Sequence, residues 1–148
     1  MVVTLEMCYT VGKAGDSMNQ TKQPTEHILA CLSSSPSNAK IVRTAATMAK
    51  AFGGTFTALY VRTPDANQMG EEDRQRLQRH IRMAEQAGAD ISTIYGDDIP
   101  QQIAEFARIS GITKIVLGRS SVHRRHFWSG PPLTEKLTQT APNLDIYI

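Results

Sequence analysis

Short apolar runs of four to six residues alternate with longer stretches in which apolar residues recur every three or four positions, and glycine or proline stands at most of the junctions. The first run, "HILACL" (27–32), has the length of a buried strand. Ser35 and Pro36 follow where a helix cap and a first helical residue belong. Ile41, Ala45, Met48 and Phe52 then fall on one helical face, and Gly53-Gly54 ends the segment. "TFTALYV" (55–61) reads as a second strand, 64–70 as a loop, and 71–88 as a helix with acids in its first turn and Leu77, Ile81 and Ala84 on its apolar face. His80 reads as part of the charged face of that helix. "ADISTIY" (89–95) is a third strand. Asp97 or Asp98 caps a helix to about Ser110, with Ile99, Ile103 and Phe106 or Ala107 inward. "TKIVLG" (113–118), a proline-started helix over 131–141 and "LDIYI" (144–148) complete the pattern.

Strands alternating with helices imply an α/β fold, a three-layer sandwich around a parallel sheet. Ligands of such sheets bind at the carboxyl ends of the strands. Here those ends lead into "SSSPSN", "RTPDAN", "GDD" and "GRSSVHRRHFWSGPP". Residues 1–26, with a β-prone start and then a polar stretch dotted with Gly, Pro and Ser, read as leader and linker, leaving 27–148 as one domain.

At 148 residues the chain holds one hydrophobic core, and a net charge of +2 gives no global pull toward nucleic acid or a membrane surface. Two cysteines, Cys8 and Cys31, form no disulfide framework, and no apolar run approaches a membrane span. A cytoplasmic setting is expected, without direct membrane contact.

Charge becomes informative only locally. Arg119, Arg124 and Arg125 lie together between strand four and the last helix, with His123, His126, Phe127 and Trp128 among them. Guanidinium groups fork onto phosphate oxygens and rings stack on bases, so this loop suits a nucleotide. His123 and His126 lack further ligands for a metal site, "GKAGDS" lacks the spacing of a phosphate loop, and Asp97-Asp98 is read as a cap and not as a catalytic pair. No nucleophile stands at meaningful spacing from a base, and no catalytic residue is assigned.

Residues 26 to 148 resemble the universal stress protein domain, in the version found in the cytoplasmic part of KdpD-type sensor histidine kinases. The likeness is carried by "HILACLSSSPSNAKIVRTAATMAKAFGGTFTALYV", by "AEQAGADISTIYGDDIPQQIAEFARISGITKIVLGRS" and by the basic loop. It implies a five-stranded parallel sheet of order 3-2-1-4-5, of the adenine nucleotide α-hydrolase-like kind. Family members of this version include cyclic di-AMP receptors with a Ser-x-Ser, twenty residues, Phe-Thr-Ala-x-Tyr signature. Ser33, Ser35, Phe56, Thr57, Ala58 and Tyr60 match it here.

The ATP-binding branch of the family carries an Asp after strand one and a Gly-x-x-Gly loop after strand four. This chain has Ser33 and Ser121 in those places, with Gly130 followed by Pro131. The resemblance therefore implies a non-enzymatic nucleotide sensor of a kinase controlling potassium uptake, holding cyclic di-AMP with the signature residues and with Gly118, Arg119, Ser120, Arg124, Arg125 and Trp128. The chain carries no kinase motifs. It also implies other sensor-kinase domains as partners and a homodimer through the last strand. The alternatives are a stand-alone universal stress protein that binds ATP, and a docking domain without a ligand.

Overall fold

The computed structural model describes residues 25–118 and 133–148. Five strands, β1 (His27–Cys31), β2 (Thr55–Arg62), β3 (Asp90–Tyr95), β4 (Lys114–Val116) and β5 (Asp145–Tyr147), form one sheet in the order β3-β2-β1-β4-β5. Every pairing is parallel. The helices between them are α1 (Asn38–Phe52), α2 (Glu71–Gln86), α3 (Ile99–Ile109) and α4 (Leu133–Thr140), with a short 3-10 turn at Pro64–Gln68. The order implied by the resemblance is the order observed.

Alternation along the strands splits the core in two. Ile28, Ala30, Phe56, Ala58 and Val116 face α1 and α2, where Val42, Ala45, Leu77 and Ala84 meet them. Leu29, Leu59, Val61 and Ile115 face α3 and α4, against Ile103, Ala107, Leu133 and Leu137. Because both sheet faces are covered, the strands read as continuous apolar runs and not as alternating ones. Ile28, Leu29, Leu59 and Ile115 are almost completely buried. Each such side chain contributes roughly 1.5–3 kcal/mol relative to leaving it in water.

Several local expectations needed correction. α1 begins at Asn38 with Ser37 before it, so Ser35 and Pro36 belong to the preceding turn. The cause is Asn38 itself, whose side chain bonds back to the end of β1 and extends the turn by two residues. Phe52 is not packed inward but is 50% exposed, with the Lys114 ammonium 5.1 Å from its ring centroid. His80, assigned to a charged face, is buried, and its partner explains why. At α3 the cap is Asp98, which accepts a bond from the Gln101 amide at 3.0 Å.

The amino ends of the strands are closed by polar links. Lys114 Nζ lies 2.7 Å from Asp145 Oδ2 and 3.7 Å from Glu26 Oε2, and Thr113 Oγ1 donates to the same Glu26 carboxylate. Glu26 therefore ties in with the sheet and is not the end of a linker. Among the described residues no helix is long and apolar enough to cross a membrane.

Candidate functional site

The carboxyl end of β1 runs directly into Ser33, Ser34 and Ser35, and three side chains from elsewhere fix that turn. Asn38 sits at the start of α1 and is buried. Its Oδ1 accepts the Ser33 N–H at 3.1 Å, and its Nδ2 donates to the Cys31 carbonyl at 2.8 Å. From α2, His80 Nδ1 donates to the Ser33 carbonyl at 2.8 Å and Arg76 Nη1 to the Ser34 carbonyl at 3.1 Å. The Arg76 charge is already matched by Glu72 at 2.7 Å and Asp73 at 2.8 Å, so toward the turn it acts as a brace.

Only three polar or charged side chains among the described residues are buried: Asn38, His80 and Lys114. Two of the three are devoted to this turn. Buried polar groups cost free energy unless paired, and here the pairing is with one short stretch of backbone. Spacing held the signal for His80, since it lies three residues after Leu77 and four before Ala84 on the inward stripe. The flanking Gln78, Arg79 and Arg82 masked it.

With its backbone locked, the turn presents hydroxyls. Ser33 Oγ accepts from the Ser35 amide at 3.3 Å, and Ser35 Oγ lies 3.0 Å from Ser37 Oγ. Both serines stand beside the amino end of a 15-residue helix whose dipole places partial positive charge there. No carboxylate occupies this turn.

The other signature residues divide by height in the sheet. Tyr60 stands at the level of Leu32, whose neighbour Cys31 pairs with Leu59, and so lies near the top, half-buried. Burial raises its phenol above the ordinary 10.0, while the nearby Arg62 charge opposes the shift. Phe56 pairs with Ile28, five residues below Ser33, about 16 Å along the strand. Phe56 and Ala58 are buried and belong to the packing under α1, not to the surface of the cleft. Thr57 pairs with Leu29 on the opposite sheet face. Ser33, Ser35 and Tyr60 thus lie toward the carboxyl end of the sheet, whereas Phe56, Thr57 and Ala58 lie lower along β2.

Gly118 is the last described residue after β4. Arg119, Ser120, Arg124, Arg125 and Trp128, with His123 and His126, lie outside the described residues, as do "GKAGDS" and the β-prone start. Among the described residues no group of three His, Cys, Asp or Glu side chains could hold a metal ion. Desolvation pushes the Cys31 thiol up to about 12, so it stays protonated and unreactive at neutral pH. A groove of about 740 Å³ between Lys50, Thr55, Gly88 and Asp90 opens at the other end of the sheet, away from the serine turn.

Comparison with known proteins agrees with the fold and its relatives. The KdpD sensor protein of Clostridium acetobutylicum is 33% identical over 129 residues, covering 84% of this chain and 14% of the relative. That of Escherichia coli is 30% identical over 118 residues, covering 80% of this chain and 13% of the relative. The chain therefore spans only a small part of the length of these relatives. Among solved structures, a universal stress protein in complex with cAMP superposes with a TM-score of 0.60 at 17% identity, covering 84% of this chain and 95% of that one. The universal stress protein from Archaeoglobus fulgidus in complex with dAMP gives 0.52 at 20% identity, covering 84% and 96%. Residues 24–142 match the universal stress protein family. With the sheet order, the two-sided core and this match in hand, the chain belongs to the universal stress protein family.

Proposed function

We propose that this domain is the nucleotide-sensing part of a KdpD-type sensor kinase controlling potassium uptake, and that its ligand is cyclic di-AMP. The observation that carries the reading is the serine turn: a backbone locked by Asn38, His80 and Arg76, with Ser33 and Ser35 hydroxyls at a helix amino end and no acid among them. A ribose diol is best held by a carboxylate that accepts; a phosphate is best held by groups that donate. Structural neighbours in complex with cAMP and dAMP support a nucleotide as the ligand class. The arginines of 119–125 supply neutralising charge for two phosphates in this reading. Binding would bias a neighbouring signalling segment by differing affinity for its two states.

Calorimetric titration of the chain with cyclic di-AMP, ATP and cyclic di-GMP tests it. Heat with cyclic di-AMP alone is expected. Heat with ATP alone, or none from any ligand, refutes the reading. Ser35→Ala is expected to weaken cyclic di-AMP binding by about 10- to 150-fold, the equivalent of one hydrogen bond to a charged group.

The exposed edge supports a second element of the proposal. Tyr147 is 40% and Ile148 62% exposed at the end of β5, an open strand edge that a second copy would cover in a homodimer. Sedimentation of the chain, with and without Tyr147→Lys, measures that association directly.

A further inference from the structure

β2 and β3 end in a groove of about 550 Å³ that lies beyond the serine turn along the same sheet edge. Arg62 and Tyr95, paired in register as the last residues of these strands, line it. The Arg62 guanidinium carbon lies 5.8 Å from the centroid of the Tyr95 ring, and Arg62 Nη2 donates to Asn67 Oδ1 at 2.9 Å. Tyr95 is 71% exposed, the most exposed of the large hydrophobic and aromatic side chains among the described residues. The core offers no reason for a ring at that position. Asp97 stands at the rim with no bonded partner among the described residues, and the Asn67 amide nitrogen is likewise unengaged there.

These groups form a row with the signature. Tyr60 and Arg62 are two residues apart on one strand and share a sheet face, and the Arg62 charge reaches the Tyr60 phenol. From the β1 end to the β3 end is two strand spacings, about 10 Å. A single nucleotide seated on the serine turn covers β1 and β2. A ligand with two bases joined through two phosphates extends to a neighbouring strand end. A flat base on the face of Tyr95 that Arg62 does not cover would find a ring to stack on, backed by the guanidinium on the other face, and in Asp97 an acceptor for an exocyclic amine.

We infer that Arg62, Tyr95, Asn67 and Asp97 form a second purine subsite that holds the other adenine of a cyclic dinucleotide seated on the serine turn. The inference rests on the cyclic di-AMP reading and adds a residue set outside its signature. It makes the β2–β3 end of the cleft the part that separates two-base from one-base ligands.

The test is calorimetry of the full 148-residue chain carrying Tyr95→Ala, Tyr95→Phe or Arg62→Ala, with cyclic di-AMP and with AMP as the one-base control. A stacked base contributes about 5- to 150-fold in affinity, so Tyr95→Ala is expected to weaken cyclic di-AMP binding at least 5-fold. Tyr95→Phe restores it, AMP affinity stays unchanged, and the melting temperature stays within about 2 °C because the ring is exposed. Unchanged cyclic di-AMP affinity in Tyr95→Ala overturns the subsite while leaving the serine-turn reading intact. An equal loss for AMP overturns the assignment of a second base. A wild-type chain that ignores cyclic di-AMP overturns both readings.

Discussion

Replacing Asn38 by Ala removes the one side chain that bonds to both ends of the β1 exit. Two hydrogen bonds disappear, at 3.1 Å and 2.8 Å, and the Ser33 N–H and Cys31 carbonyl are left in a partly buried place without their partner. A typical bond contributes about 1 kcal/mol net, and each unsatisfied partner adds part of a desolvation cost of about 1–3 kcal/mol. Alanine recovers about half a kcal/mol of helix propensity. The balance is a loss of about 2–3 kcal/mol. For a domain of this size that corresponds to a fall of about 6–12 °C in Tm. Urea unfolding followed by far-ultraviolet circular dichroism measures it, with an unchanged slope showing that the native state has stayed compact. Asn38→Asp separates the two bonds: it keeps the acceptor for Ser33, loses the donor to Cys31, and is expected to cost about half as much. A loss under about 0.5 kcal/mol in Asn38→Ala would mean that the turn holds its shape without this residue, and the argument for a preorganised serine turn would fail.

Three further outcomes follow from named contacts. His80→Phe keeps the buried volume but strips the donor from the Ser33 carbonyl; it is expected to cost about 1–2 kcal/mol in urea unfolding and to weaken cyclic di-AMP binding, whereas the exposed neighbour Arg79→Ala changes neither. Gly54→Ala drives a new Cβ to 2.1 Å from the Glu26 carbonyl oxygen, so the backbone joining α1 to β2 must shift; a loss of about 2–3 kcal/mol is expected, and a wild-type Tm would contradict it. The Lys136 ammonium bonded to Asp98, opposed by some desolvation and assisted by the Gln101 amide, holds that carboxyl below its ordinary 3.8. Stability from this pair is complete above that value and lost as pH falls through the lowered one, so Asp98→Asn should flatten the acid limb of a Tm-against-pH curve below about pH 4 and leave its slope near pH 7 unaltered.

Topology was readable because both sheet faces are covered: "HILACL", "TFTALYV" and "TKIVLG" are uninterrupted apolar runs, and their helices carry one apolar stripe each. Ends of elements were less readable. Ser35-Pro36 has the form of a helix start, yet Asn38 bonds backward and moves the start to itself, a choice made by tertiary contact and not by local preference. The placement of the serines beyond β1 and of Tyr60 near the end of β2 was legible because the apolar runs mark where the strands stop. His80 was not, because charged neighbours on α2 hide an inward residue whose partner, Ser33, lies 47 positions away. Phe56 and Ala58 belong to the same signature as Tyr60, but position along a strand decides whether a side chain meets solvent or core.

That 47-residue span has a consequence for the order in which parts of the molecule come loose. The serine turn follows β1 in the chain, but its Ser33 and Ser34 carbonyls are fastened to α2 and its Ser33 amide to Asn38 at the start of α1, so its shape depends on both helices and not only on the strand it continues. In native-state hydrogen exchange, the Ser33 amide should open together with the start of α1 and the first three turns of α2, at a lower free energy than the central β1 amides. During folding the turn cannot take its final shape until a distant helix has docked. The turn is thus completed only with the docking of α2, and a displacement of that helix acts on it directly through Arg76 and His80.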